Sequence, residues 1–112
     1  MSRAFRVEYS PEAFEDLRAI YSYIAFHLAE RDTAKKQIDR IRREVRALNK
    51  MPERYAAVDW EPWASMNMRK LPVDHYVVYY SVDRDAQLVQ IIRVFYGGRD
   101  VESIVRGEEP QQ

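Results

Sequence analysis

Hydrophobic and polar residues alternate with a period of two at the start of the chain. Phe5, Val7 and Tyr9 are apolar or aromatic, and Arg6 and Glu8 lie between them. Such alternation is typical of a strand with one buried face. The pattern therefore predicts a first strand over residues 4–9.

After this strand the apolar positions change to helical spacing and form two stripes. Ser10 is a favourable cap for the first helix, and Pro11 suits its first position. The first stripe consists of Phe14, Leu17, Tyr21, Ile24 and Leu28. Asp32 is a candidate cap for the second helix. The second stripe consists of Ala34, Ile38, Ile41, Val45 and Leu48. Because few residues separate the two stripes, they predict an antiparallel helical hairpin.

The second half of the chain carries the pattern of a sheet. Pro52 ends the second helix, and the aromatic loop over residues 53–65 is expected to pack on the body of the protein. Runs of β-branched and aromatic residues predict three further strands. These strands are expected over residues 66–71, 76–82 and 88–96. Gly97 and Gly98 end the last strand, and Asp100 can cap a short final helix.

The order of the elements is β-α-α-β-β-β, followed by a short C-terminal helix. It predicts an α+β fold with two layers, in which the N-terminal strand and the helical hairpin pack on a mainly antiparallel sheet. Residues 1–106 are expected to form one domain, with a polar tail over residues 107–112. Both faces of the last hairpin look apolar, so its second face must be covered or must bind a partner.

The 112 residues include no cysteine and two histidines, His27 and His75. Disulfides, a thiolate nucleophile and a cysteine zinc site are therefore excluded. The histidines have no partner at metal-ligand spacing, so neither a metal site nor a cofactor is expected. Residues 1–9 lack the apolar core of a signal peptide, and no window of about 18 uncharged apolar residues occurs. We expect a cytoplasmic protein that does not bind membranes.

Charge is balanced overall but unevenly distributed. The chain has 18 basic and 18 acidic residues, which gives a net charge of zero. The segment 31–54 contains nine basic and four acidic residues. A general nucleic-acid binder usually carries a basic total, so any contact with nucleic acid would have to be local. A solvated helix face is the commoner explanation of such a basic segment.

The turn at residues 83–86 predicts how the last two strands pair. A two-residue loop would place Asp83 opposite Ala86. Tyr76 would then lie opposite Arg93, on the same face as Phe95. The predicted register therefore brings a phenol and a guanidinium side by side.

Five residues form a candidate target-binding cleft. They are Arg69, Tyr76, Arg93, Tyr96 and Arg99. An aromatic and cationic cleft suits a phosphate with a stacked base, or an acidic protein segment. Ordinary structural roles are an alternative, since strand arginines are often ion-paired surface groups and tyrosines often fill sheet surfaces. The glycine pair is more typical of a turn than of a phosphate-binding loop.

Three segments, in this order and spacing, resemble the toxins of the RelE/ParE superfamily. They are FRVEYSPEAFEDLRAIYSYI, MRKLPVDHYVVYYSVD and VQIIRVFYGGRDVESIV. They are similar to the first strand and helix, the second and third strands, and the last strand and closing turn of these toxins. The resemblance implies the toxin of a bacterial type II toxin–antitoxin module, of the plasmid-stabilisation type. It also implies a cognate antitoxin that wraps an extended or helical segment over the toxin.

Two mechanisms follow from the resemblance. ParE-like members poison DNA gyrase and perform no chemistry. RelE-like members cut messenger RNA in the ribosome without a metal, and they need a proton acceptor, a proton donor and cations around the phosphate.

Two positions depart from the nuclease pattern. The third-strand arginine of many nuclease members aligns with Tyr76, and the last-strand histidine of one branch aligns with Phe95, which cannot move a proton. Arg93, Tyr96 and Arg69 would remain as catalytic candidates if the chain were a nuclease. We therefore favour a gyrase-directed toxin. The alternatives are a ribosome-dependent endoribonuclease, a non-toxic partner-binding module with the same fold, and an unrelated α+β domain.

Overall fold

The structure is a computed structural model that describes residues 4–107. Its helices and strands follow the predicted order, and their bounds are β1 Arg6–Tyr9, α1 Pro11–Ser22, α2 Arg31–Arg46, β2 Met68–Val73, β3 Tyr76–Asp83, β4 Leu88–Tyr96 and α3 Val101–Arg106. A π-helical turn, Tyr23–His27, extends α1. Except for Gly107, the polar tail predicted over residues 107–112 lies outside the described residues. The first three residues of the segment 1–9, which lacks the apolar core of a signal peptide, also lie outside them.

Ser10 joins β1, α1 and β4. Its hydroxyl oxygen accepts a hydrogen bond from the Ala13 amide at 3.0 Å and donates one to the Ile92 carbonyl at 2.8 Å. The first bond caps α1 as predicted, with Pro11 at the start of the helix. The second bond ties the cap to the sheet, so the direction in which α1 leaves the sheet is set at this residue.

The predicted buried stripe of α1 is wrong in part. Ala13, Leu17, Ile20 and Ile24 are buried. Phe14, Tyr21 and Leu28 are instead exposed, Phe14 to 51%. Both sets have helical spacing, but the helix turns small and aliphatic residues towards the sheet, where the close approach of α1 leaves little room for aromatic rings.

The stripe of α2 is confirmed, with Ala34, Ile41, Val45 and Leu48 buried and Ile38 partly buried against the same core. Its predicted cap is wrong. The helix begins at Arg31 with Glu30 at the capping position, so Asp32 lies inside the first turn. An acidic residue there still complements the helix dipole.

The sheet has the order β1-β4-β3-β2. β1 runs parallel to β4, whereas the other two pairs are antiparallel. The helical hairpin covers one face of this mixed sheet, which confirms the α+β class. The strand predicted over residues 66–71 is shifted, because β2 begins at Met68 and continues through Pro72 to Val73. Proline is tolerated there because β2 is an edge strand.

The predicted register of the last hairpin is wrong. Asp83 pairs with Leu88 rather than Ala86, and Tyr76 lies opposite Tyr96 rather than Arg93. The Asp83 carboxylate accepts the Ala86 amide hydrogen bond at 3.0 Å, so a side chain closes the turn and the loop is longer than two residues. A bulge at Tyr79/Tyr80 then shifts the pairing further.

The second face of the sheet, for which the sequence left open a cover or a bound partner, is covered by the aromatic loop and by α3. Trp63, at 5% exposure, packs in a second buried cluster with Met68, Tyr79, Phe95 and Val101. The side chain of Asp100 caps α3 by accepting from the Ser103 amide. Among residues 4–107, no helix has the length and apolar character that a membrane crossing requires.

Candidate functional site

A recess of about 710 Å³ opens between the end of α1 and the ends of β3 and β4. Its polar and aromatic lining includes Asp16, Tyr23, Gln37, His75, Tyr76, Arg93, Tyr96 and Arg99. The structure thus brings four of the five predicted site residues together. We refer to this concavity as the recess.

Arg93 is held at the recess by an ion pair with Asp16. The guanidinium donates to both carboxylate oxygens, from Nε at 2.8 Å and from Nη2 at 2.9 Å. The exposed fractions of the two side chains are 31% and 14%. The hydrogen bonds to Asp16 raise the pKa of Arg93 above its usual value. Such a bidentate pair orients the guanidinium plane and satisfies most of its charge.

Phe95 lies beneath two cations. The guanidinium carbon of Arg93 is 4.4 Å from the centre of the Phe95 ring, and that of Arg99 is 5.4 Å away. Both distances are within the range of a cation–π contact. The Phe95 ring therefore supports both arginines and carries no exchangeable proton.

Tyr76 and Tyr96 pair across the sheet, with their ring centres 5.9 Å apart in an edge-to-face arrangement. Burial raises the pKa of Tyr76, and the neighbouring Tyr96 and Tyr23 raise it further. The Tyr76 hydroxyl therefore stays protonated at neutral pH. Tyr96 is more than half exposed, so it offers an aromatic face and a hydroxyl to a partner.

Arg69, the fifth predicted residue, lies away from the recess. Its Nη1 atom donates to the carbonyl oxygens of Glu53 at 3.0 Å and Tyr55 at 2.8 Å, and its Nη2 lies 3.6 Å from the Glu53 carboxylate. These bonds hold the chain that follows α2 against β2. The structure therefore gives Arg69 a role in tethering this loop.

The sequence patterns did not identify Asp16 as part of the site. It lies next to the buried Leu17 on α1, 77 residues before Arg93, and no local signal connects the two. His75 is exposed in the turn between β2 and β3 and lies at the edge of the recess. Among residues 4–107, no three His, Asp or Glu side chains gather as a metal-binding group.

One family of known proteins matches most of the chain. A family model described as the ParE toxin of the type II toxin–antitoxin system parDE matches residues 7–101. No curated protein sequence gives a match.

Solved structures with the same fold include three from bacteria. The chromosomal ParDE toxin–antitoxin system of P. aeruginosa matches with a TM-score of 0.68 at 22% identity, over 85% of this chain and 98% of that one. An arginine double mutant of the E. coli toxin RelE in the free state matches with a TM-score of 0.63 at 16% identity, over 94% and 93%. The RelBE2 toxin–antitoxin complex of Mycobacterium tuberculosis matches with a TM-score of 0.62 at 17% identity, over 83% and 98%. At these identities the likeness shows a common fold.

Proposed function

Because the chain belongs to the ParE family of toxins from type II toxin–antitoxin systems, we propose that it arrests bacterial growth by poisoning DNA gyrase. We also propose that a cognate antitoxin neutralises it. The recess is the surface that contacts the target. No bond is made or broken by the toxin itself in this mechanism.

The two-point bond between Arg93 and Asp16 is the observation that carries this proposal. Cleavage of RNA needs cations that are free to neutralise the charge that builds up on the phosphate. The Nε and Nη2 atoms of Arg93 are instead hydrogen-bonded to Asp16, so a phosphate would have to compete with that carboxylate. The Arg93 guanidinium, held in a fixed orientation by Asp16, therefore has a structural role in the recess.

Aromatic and aliphatic groups make up much of the remaining recess. Tyr96 is exposed beside Tyr76, and Arg99 lies exposed above Phe95. Aromatic residues and arginine are the side chains that most often dominate protein–protein contacts. A recess of this composition suits an acidic and apolar segment of a protein target.

An antitoxin partner is supported by the fold and the family. The M. tuberculosis and P. aeruginosa structures are of toxin–antitoxin systems, and the present chain has the fold of their toxins. Five large apolar side chains on α1, on its π-helical extension and on the residue that follows are exposed, namely Phe14, Tyr21, Tyr23, Phe26 and Leu28. Exposed apolar groups in such number are typical of a surface that a partner covers.

Expression in bacteria, with and without the antitoxin from the adjacent gene, tests the broad function. Growth should stop with the toxin alone and continue with both proteins. The mechanism is then tested with purified toxin, gyrase, ATP and plasmid. Denaturing the reaction with detergent should release linear DNA only when toxin is present, while a translation extract should leave messenger RNA intact.

Matched variants make this experiment sharper. Arg99→Ala removes an exposed recess cation, whereas Lys36→Ala removes an exposed cation on α2 that lies outside the recess. Arg99→Ala should reduce gyrase-dependent cleavage and Lys36→Ala should not. Equal activity of the two variants would contradict the assignment of the recess.

Ribosome-dependent RNA cleavage is the second candidate. Its support is that the His75 imidazole and the Tyr96 hydroxyl line the same concavity, and both are groups that can transfer protons. RNA cut at codons, together with unbroken DNA, would establish it. A chain that binds its antitoxin but leaves both targets and growth unaffected would be a non-toxic binding module.

A further inference from the structure

The end of α2 and the residues that follow it carry a cluster of exposed cations. The cluster consists of Arg42, Arg43, Arg46 and Lys50. None of them lines the recess, which α2 reaches through Thr33 and Gln37. From Gln37 to Arg46 the helix rises by about 14 Å. The cluster, which we call the α2 basic end, is therefore a surface separate from the recess.

The cations of the α2 basic end have no acidic partner. None of the four forms an ion pair with any of residues 4–107. Asp39 precedes Arg42 and Arg43 at the spacing of helical ion pairs, yet it pairs with neither. Glu44 is rotated by at least about 100° around the helix from each arginine of the cluster, and Glu53 is bound to other arginines. The α2 basic end therefore presents uncompensated positive charge.

The spacing of the three arginines makes them repel one another. Arg46 follows Arg43 by three residues and Arg42 by four, so the three share one side of the helix. Like charges at these spacings destabilise a helix, and their position near its C-terminus offsets only part of that effect. A helix face that is merely solvated more often alternates charges of both signs. The arrangement indicates a surface that receives an anionic ligand.

We propose that the α2 basic end binds the phosphate backbone of duplex DNA. Arginine suits this ligand, because its planar fork of N–H groups matches two oxygens of one phosphate. The contact reads no bases and adds a second surface to the proposed function. DNA held by gyrase would lie against the α2 basic end while the recess contacts the enzyme. That setting rests on the proposed function, whereas the contact with DNA does not.

The composition of the α2 basic end favours a duplex over other anionic partners. Residues 42–50 include no aromatic residue, and the apolar side chains of Val45 and Leu48 are buried. Single-stranded nucleic acids are held largely by bases stacked on aromatic rings. Acidic protein segments are usually fixed by large aromatic or arginine anchors in desolvated pockets. A convex row of cations instead suits the regular phosphates of a double helix.

The neutral total charge of the chain predicts that this contact is local and strongly dependent on salt. Each phosphate that a cation neutralises releases a counterion, and the logarithm of the affinity falls by about 0.9 for each such phosphate per tenfold rise in salt. Three or four contacts at the α2 basic end should therefore give a slope of about −3. This slope is measurable on the toxin alone.

Charge variants with a matched control test the inference. Arg43→Glu and Arg46→Glu each reverse one charge of the α2 basic end. Lys70→Glu makes the same change in net charge on β2, at an exposed position that shares the sheet face of Met68, away from the helical hairpin. A double variant, Arg43→Gln with Arg46→Gln, removes two charges without adding any. Thermal unfolding verifies that each variant is folded.

The probe is a labelled duplex oligonucleotide of mixed sequence, titrated with purified toxin at several salt concentrations. We expect Arg43→Glu and Arg46→Glu to weaken binding about tenfold at low salt, and Lys70→Glu to stay within about twofold. The double glutamine variant should reduce the steepness of the salt dependence by about two, one for each lost phosphate contact. In the cleavage reaction with gyrase it should need several-fold more toxin to release the same amount of linear DNA.

Other outcomes overturn the inference. An unmodified toxin that does not bind the duplex at low salt would do so, as would equal losses with Arg46→Glu and Lys70→Glu. Tighter binding to an RNA duplex of the same sequence, lost in the same variants, would assign the surface to RNA. Unchanged poisoning by a variant that no longer binds DNA would overturn the placement of this contact on gyrase-bound DNA. A toxin that binds DNA through this surface but does not poison gyrase would contradict the proposed function and leave the DNA contact established.

Discussion

Asp16 of α1 binds Arg93 on the part of β4 that extends beyond its pairing with β1. β1 ends at Tyr9, opposite Ile91. Arg93 binds the Asp16 carboxylate through Nε and Nη2. The amide of the next residue, Val94, donates to the same carboxylate at 2.8 Å. One side chain thus takes the place of a missing strand and sets the position of the recess cation.

Loss of this carboxylate should destabilise the protein. Asp16→Ala leaves the Val94 amide and a partly buried guanidinium without their partner, and we expect a cost of about 2 kcal/mol in the free energy of unfolding. Asp16→Asn should cost less, because its amide oxygen can still accept from Val94. Urea denaturation measures both, with the exposed Glu15→Ala as the control. An Asp16→Ala protein as stable as the control would contradict this role.

Tyr96 and Arg99 should be cleaner probes of the target surface than Arg93. Both side chains are exposed at the recess, so Tyr96→Ala and Arg99→Ala should lower gyrase poisoning about tenfold with little change in stability. Arg93→Ala should lower stability as well, because it leaves the Asp16 carboxylate unpaired. Toxicity assays combined with thermal unfolding separate the two effects. Unaltered poisoning by both exposed variants would exclude the recess as the target surface.

The Tyr80 hydroxyl should contribute measurably to stability. It is fully buried and donates to the Pro52 carbonyl at 2.6 Å, which fixes the start of the aromatic loop against the sheet. Tyr80→Phe leaves that carbonyl unsatisfied and should cost about 1 kcal/mol. Tyr79→Phe is the matched control, because its hydroxyl has no hydrogen bond within residues 4–107. Equal unfolding midpoints for the two variants in urea would refute this assignment.

Glu53 should make stability depend on acidic pH. The hydrogen bond from Arg84 lowers the pKa of Glu53 below 4.5, with further help from Asn67 and the charge of Arg69. A carboxylate with a lowered folded-state pKa stabilises the protein above its unfolded pKa and loses this effect as the pH falls through the folded value.

Comparison with Glu53→Gln tests this dependence. The difference in stability between the two proteins should be full at neutral pH and should shrink as the pH drops below about 4.5, the ordinary value for glutamate. Arg84→Ala removes the largest cause and should weaken the effect. A difference that stays constant down to pH values below the folded pKa would show that the carboxylate contributes nothing as an ion.

Local patterns were sufficient for the elements and much of the core. The strand over residues 88–96, the Ser10 cap and the stripe of α2 are found as predicted, because each depends on residues within a few positions of one another. The packed aromatic loop was also predictable, since Trp63 has too much apolar surface to remain in water.

Long-range packing decided the parts of the site that were missed. The register at Tyr76 depends on how a side chain closes the turn and on a bulge at Tyr79/Tyr80. The apolar face that α1 buries depends on the sheet beneath it. Neither is encoded in a spacing that can be read along the chain, because several arrangements satisfy the same periodicity.

The amino-acid sequence by itself determined which segments become helices and strands. It also determined that these elements form an α+β fold with two layers and that the chain resembles this toxin superfamily. Tertiary structure alone decided that Arg93 meets Asp16, that Arg69 lies away from the recess, and that Phe14 and Tyr21 are exposed. The physical reason is that hydrogen-bonded elements form from neighbouring residues, whereas a cleft forms where distant elements meet and compete for the same space.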